Sequence, residues 1–212
     1  MGWDECVTLK HIGFGKVSKP DGELIRTRSA STIIKLEDII GEVVDTCKTA
    51  CIDHKQSTDY AELMAVNCMR YCEMSTPYAK GYNFNIKDMT RFNADSGIYA
   101  MYTYVRFNKI VTKSTALFSG MGDYEFDKYE SKLLKHLLML DVVVKKAENT
   151  LDIIPLTHHI LHICNDLCSY YESSKILGNK YEAQKVYLVT KCLSAIKLLC
   201  DIMSIKLISE MI

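Results

Sequence analysis

The hydrophobic pattern of the chain changes period near Leu36. Before that point Val7, Leu9, Ile12, Phe14 and Val17 broadly alternate, which predicts β structure from Cys6 to Ile25. Gly13 and Gly15 within that stretch permit close backbone approach, by a flat adenine ring or by a packing helix. Pro20-Asp21-Gly22 lies between two short apolar segments and predicts the turn of a β-hairpin. From Leu36 the apolar residues recur at helical steps. Ile39, Ile40, Val43, Val44, Cys47 and Cys51 form one stripe, with Lys35, Glu37, Asp38, Glu42, Asp45 and Lys48 outside it. A second helix, capped by Thr58 or Asp59, is expected to run through Leu63, Val66, Met69, Arg70 and Met74. Pro77 to Lys80 breaks it, and Tyr82-Asn83-Phe84-Asn85 reads as a short extended connector.

Asp95-Ser96-Gly97 is a helix start, a polar cap followed by a small residue. In the helix that follows, Tyr99, Tyr102 and Arg106 share a face. They read either as core packing with Arg106 reaching out to solvent, or as tyrosines presented to RNA. Thr112 to Asp127, with its Ser, Gly and Asp residues, predicts a linker. Three more helices are expected beyond it, around Leu133 to Val144, Leu156 to Tyr171 and Tyr181 to Ile208. The last carries a narrow polar stripe of Thr190, Ser194, Lys197, Asp201 and Ser204 on an apolar cylinder, so it must be largely enclosed. The predicted fold is mainly α: a β-hairpin and connective helices, then an all-α bundle from residue 125.

Composition narrows the function classes. At 212 residues with 48% apolar and 25% charged positions, the chain can bury a real core. Lys+Arg and Asp+Glu both total 26, so no bulk positive field attracts nucleic acid, and any RNA contact must be a local patch. A DNA partner is not expected. The acidic start, Met1-Gly2-Trp3-Asp4-Glu5-Cys6, lacks signal-peptide features, and no apolar run reaches the roughly 18 residues of a membrane span. The nine cysteines include pairs four apart, Cys47/Cys51, Cys68/Cys72 and Cys164/Cys168. That is helix-face spacing and not a zinc knuckle, so reduced, mostly buried thiols in a cytoplasmic protein are expected. His158, His159 and His162 find no third ligand of suitable spacing, and no metal site is expected.

One stretch has distinctive chemistry. Arg26-Thr27-Arg28-Ser29 packs two guanidinium groups and two hydroxyls into one turn. Such donors suit a polyphosphate, although a solvated basic turn has the same composition.

That stretch, together with His11-Ile12-Gly13-Phe14-Gly15 before it and Ile34-Lys35-Leu36 after it, resembles a segment of arginyl-tRNA synthetases. Three further segments are similar to that family in the same order. They are Ala65 to Ser75, Asp95 to Arg106, and the bundle with Leu167 to Glu172 and Lys185 to Met211. Within these, Arg26 stands for a customary lysine, Ala30, Asn67 and Ser204 for glycines, and Lys185 for an arginine. The resemblance implies a class I catalytic portion over residues 1–124 and an anticodon-binding α-helical bundle over 125–212. It implies that Arg26 and Arg28 act on ATP phosphates during arginine activation, with Gly15, Thr27 and Ser29 binding the nucleotide, as Mg-ATP. It also implies tRNA(Arg) as partner, with Tyr99, Tyr102, Arg106, Tyr187 and Met211 as RNA contacts. The Rossmann half with its His-x-Gly-His motif is not among these 212 residues, so a separate N-terminal synthetase half is the other expected partner. A non-catalytic tRNA- or protein-binding module derived from a synthetase is the alternative.

Overall fold

The computed structural model describes residues 9–19, 21–25, 35–92 and 95–208. The elements run β1 (Val17–Ser18), α1 (Leu36–Asp53), α2 (Ala61–Met74), β2 (Tyr82–Asn83), α3 (Ile86–Met89), α4 (Gly97–Lys113), α5 (Lys128–Thr150), α6 (Ile154–Ser173) and α7 (Glu182–Ile202). The architecture is mainly α, as the periodicity predicts. None of the described helices is long and apolar enough to cross a membrane.

The β region is much smaller than the alternation suggests. Among the described residues before Leu36 only Val17–Ser18 is a strand, and Leu9 and Phe14 are exposed. The Asp21-Gly22 turn does form. Gly22 takes a positive φ of 87°, the Glu23 N–H donates to Asp21 Oδ1 at 2.9 Å, and Ser18 and Leu24 make a single antiparallel bridge. The strand partner of β1 is instead β2, in parallel, with Val17 opposite Tyr82. Gly15 and Gly81 make this crossing possible. A Cβ on Gly15 would overlap the backbone of Lys80 and Gly81, and one on Gly81 would overlap Lys16. The close approach at Gly15 is therefore taken up by the chain itself, and not by a helix.

Two apolar clusters form the interior, and α4 serves both. Val43, Cys47 and Cys51 of α1 pack with Met64, Ala65 and Cys68 of α2 and with Ile98, Met101 and Val105 of α4. On another side of α4, Ala100, Phe107 and Ile110 join the bundle core of α5, α6 and α7. The buried face of α2 is thus Ala61, Met64, Ala65, Cys68 and Tyr71 rather than the expected Leu63-Val66-Met69 stripe. Its N-cap is Tyr60, without a side-chain cap bond, because the Thr58 carbonyl closes the first turn onto Ala61 N–H at 3.0 Å.

Asn67 is fully buried on α2. Its carboxamide clamps the Lys206 backbone, accepting from the N–H at 3.2 Å and donating to the carbonyl at 2.7 Å. Close helix packing is supplied from α4 instead, where a Cβ on Gly97 would lie 3.1 Å from Cys68 Cα. Ser96 caps α4, accepting from the Tyr99 N–H at 3.1 Å, as the Asp95-Ser96-Gly97 pattern predicts. Helix α7 ends at Ile202, six residues short of the expected Ile208. Ser204 adopts a positive φ of 55°, and the Ile205 N–H reaches back to the Cys200 carbonyl at 2.8 Å. This is a left-handed helix stop, a position suited to glycine. Ile205 and Ile208 are nevertheless buried, one in each cluster, so their spacing imitates a continuing helix.

Candidate nucleic-acid interface

The last two turns of α4, the C-terminal end of α6 and the turn after α6 line a common space. The result is a cleft of about 650 Å³ floored by Ile110, Ile176 and Leu177. Arg106, Lys109 and Lys113 line it from α4 and Lys175 from the turn, against a single carboxylate, Glu172. Among the described residues none of the four cations forms a salt bridge. At its wall stands Tyr171, 43% exposed, with the Arg106 guanidinium 4.5 Å from the ring centroid and Phe107 packed edge-on at 6.0 Å. A flat aromatic face beside unpaired cations is the chemistry that stacks a base and neutralises its phosphate.

Helix α7 fixes the rim of this cleft. The Glu182 carboxylate accepts from Ser114 Oγ and from the Gly178 N–H, both at 2.5 Å, joining the end of α4 to the turn after α6. Those two bonds, the hydroxyl first, hold its pKa below the usual carboxylate value. Lys185 donates to Ser174 Oγ at 2.5 Å and faces Glu130 at 3.4 Å. Glu130 is buried and also accepts from the hydroxyls of Tyr170, at 2.7 Å, and Tyr124. Burial, reinforced by those bonds, pushes both phenols above their ordinary pKa. Tyr170 and Tyr171, adjacent in sequence, therefore do different work: one anchors the core and the other faces the cleft.

Of the expected RNA contacts among the described residues, only Arg106 lines this cleft. Tyr99 is turned onto α6, donating to Asn165 Oδ1 at 2.7 Å. Tyr102 packs edge-on against Phe92 at 5.7 Å, in the other cluster. Tyr187 lies under Phe118, ring on ring at 3.9 Å. Arg26, Thr27, Arg28, Ser29 and Met211 lie outside the described residues. Tyr171 lies in the Leu167 to Glu172 segment that carries the resemblance, but nothing local says which member of the Tyr170-Tyr171 pair faces out. Lys109, Lys113 and Lys175 carried no signal, being ordinary helix-surface and turn lysines. Elsewhere, His136 bonds Asp166 at 2.8 Å and stacks near His162, while His159 reaches the His136 carbonyl at 3.0 Å and His158 is exposed. Among the described residues no group of three His, Cys, Asp or Glu side chains is arranged to hold a metal ion.

A family described as the DALR anticodon binding domain matches residues 100–211. The chain belongs to this family. The match takes in α4 from its first turn and every helix that builds the cleft. Curated relatives agree with the resemblance to arginyl-tRNA synthetases. An arginine–tRNA ligase of Streptococcus suis is 24% identical over 186 residues, covering 86% of this chain and 33% of the relative. One from Acanthamoeba polyphaga mimivirus is 27% identical over 188 residues, covering 84% and 31%. The chain thus spans about a third of the length of these relatives. The fold is that of about a third of the chain in solved arginyl-tRNA synthetases. The Plasmodium falciparum enzyme superposes with a TM-score of 0.77 at 21% identity, over 95% of this chain and 35% of that one. The Thermus thermophilus enzyme gives 0.78 at 17%, over 93% and 34%. Within this DALR domain the cleft sets the exposed ring of Tyr171 beside Arg106, with Lys109, Lys113 and Lys175 in the same lining.

Proposed function

We propose that the chain is the tRNA-binding portion of an arginine–tRNA ligase, with the anticodon loop of tRNA(Arg) entering the Tyr171 cleft. The observation that carries this reading is the pairing of Tyr171 with Arg106, inside a group of four cations, within the stretch matched by an anticodon-binding family. An unpaired base stacks on Tyr171, while Arg106, Lys109, Lys113 and Lys175 take the phosphates on either side. Met211, at the last residue of the family match, is a further contact with the loop. Titration of a labelled anticodon stem–loop tests this. Tyr171→Ala weakens binding roughly 5- to 150-fold, the worth of one stacking contact, while Tyr171→Phe retains it. Equal affinity of Tyr171→Ala and the parent chain would overturn the assignment.

The second half of the proposal concerns activation. The chain spans about a third of its relatives' length, and arginine activation in this reading also takes a nucleotide-binding half. With that half present, Arg26, Thr27, Arg28 and Ser29 steady the ATP phosphates as charge develops. Arginine-dependent ATP–pyrophosphate exchange, run with the half supplied, tests this: Arg26→Ala with Arg28→Ala lowers the exchange rate more than it weakens tRNA binding. An unchanged rate would leave the chain as a tRNA-binding module only.

A further inference from the structure

Residues 114–127 are not a free linker. Ser114 is held by Glu182, Phe118 lies on Tyr187, the Gly120 carbonyl accepts from Gln184 at 3.1 Å, and Tyr124 packs on Tyr181 at 5.0 Å. The segment therefore climbs α7 from Glu182 to Tyr187 and returns to Tyr181. Gly120 and Gly122, at φ values of 134° and 53°, carry it round the bend. Leu117 and Phe118 are its tip, 90% and 38% exposed. They are two of several large apolar side chains left in solvent, and a bound partner over the tip would remove their cost of hydration.

We propose that Phe118, backed by Tyr187, is a second stacking surface for an unpaired base of the RNA strand that enters the cleft at Tyr171. The inference rests on the RNA reading of that cleft. Three features support it. The Phe118 and Tyr187 rings are 7° from parallel at 3.9 Å, so Phe118 is held flat against a rigid backing and offers its other face outward. The Lys191 ammonium lies 5.0 Å from the Tyr187 ring centroid, a cation–π contact that steadies the backing ring. The platform is also joined to the cleft through the chain. Lys113 lines the cleft, Ser114 follows it directly, and the five residues from Glu182 to Tyr187 advance roughly 7.5 Å along α7. Phe118 thus follows Lys113 by five residues and sits on the α7 segment that holds the rim. Stacking tolerates any base, so this surface adds affinity for loop length rather than for sequence.

Titration of the full chain with the tRNA(Arg) anticodon stem–loop tests the inference, alongside photocross-linking with 5-iodouridine placed at each loop position in turn. Phe118→Ala is expected to weaken binding roughly 5- to 150-fold, and one loop position is expected to cross-link to Phe118. Phe118→Trp retains affinity. If Phe118→Ala also lowers the melting temperature, Phe118→Leu decides: it keeps apolar contact with Tyr187 but lacks a planar face, so weakened binding supports the platform and unchanged binding overturns it. Full affinity in the Phe118 variants with weak binding by Tyr171→Ala would overturn the platform and leave the cleft standing. Full affinity in both would overturn the RNA reading of the cleft as well. A cross-link absent at every position would overturn the platform.

Discussion

Lys185 of α7 and Glu130 of α5 face each other at 3.4 Å with 8% and 1% of their side chains exposed. Around them Tyr124, Tyr170 and Ser174 supply the remaining hydrogen bonds, and the Asp127 N–H donates to the second Glu130 oxygen at 3.0 Å. One buried carboxylate thereby ties the segment before α5 to α6, α7 and the turn that closes the cleft. The same Glu130 completes a capping box with Asp127 at the start of α5.

Removing the cation should cost far more than the pair itself is worth, because a buried carboxylate would be left short of a partner. Lys185→Met is expected to lower unfolding free energy by about 3–5 kcal/mol, read by urea titration. Glu130→Gln in the same chain should recover part of that loss. Lys185→Arg keeps the charge and should cost much less. Equal stability of Lys185→Met and the parent would show that the network is incidental.

The glycine crossing makes a local prediction. Gly15→Ala forces the backbone of residues 15–16 away from Lys80 and Gly81. The amides of Tyr82 and Phe84, which donate to Lys16 at 3.1 Å and Ser18 at 2.7 Å, should then exchange hydrogen about tenfold faster or more. Amides of α6 and α7 should keep their protection. Unchanged exchange at Tyr82 and Phe84 would contradict the close approach.

How much of this was legible in the sequence depends on whether the deciding partner lies nearby in the chain. The stripe of α1, the Ser96 cap and the mainly α fold follow from local period and cap chemistry, and the structure has all three. Gly15 could not be read the same way, since the backbone it meets lies more than sixty residues away at Lys80. The end of α7 was hidden because Ile205 and Ile208 keep an apolar step while belonging to different clusters. The cleft was half visible: Arg106 was expected, but its partner Tyr171 sits on another helix and shares a dipeptide with a buried tyrosine.

His159 gives the chain a pH dependence with a definite sign. Burial, with His136 and His162 nearby, lowers its pKa below the ordinary 6.5, against the bond to the His136 carbonyl. The unfolded chain therefore binds more protons near and below pH 6.5, and stability rises with pH there. Its contribution is fully present above pH 6.5 and is lost as pH falls through the depressed folded value. His159→Gln keeps a donor for the carbonyl but cannot charge, so its stability should fall less between pH 7.5 and 5.5 (roughly two units spanning that range). Equal pH slopes by urea titration would contradict this.

In the proposed function the bundle reads an open anticodon loop through a stacking face set among cations. The most direct measurement compares the chain's affinity for the tRNA(Arg) anticodon stem–loop with that for the same stem closed by a tight four-base loop. Both carry a similar phosphate charge, so they differ mainly in bases free to stack. The open loop is expected to bind at least about tenfold tighter, with the difference abolished in Tyr171→Ala. Equal affinity for the two hairpins would contradict the account.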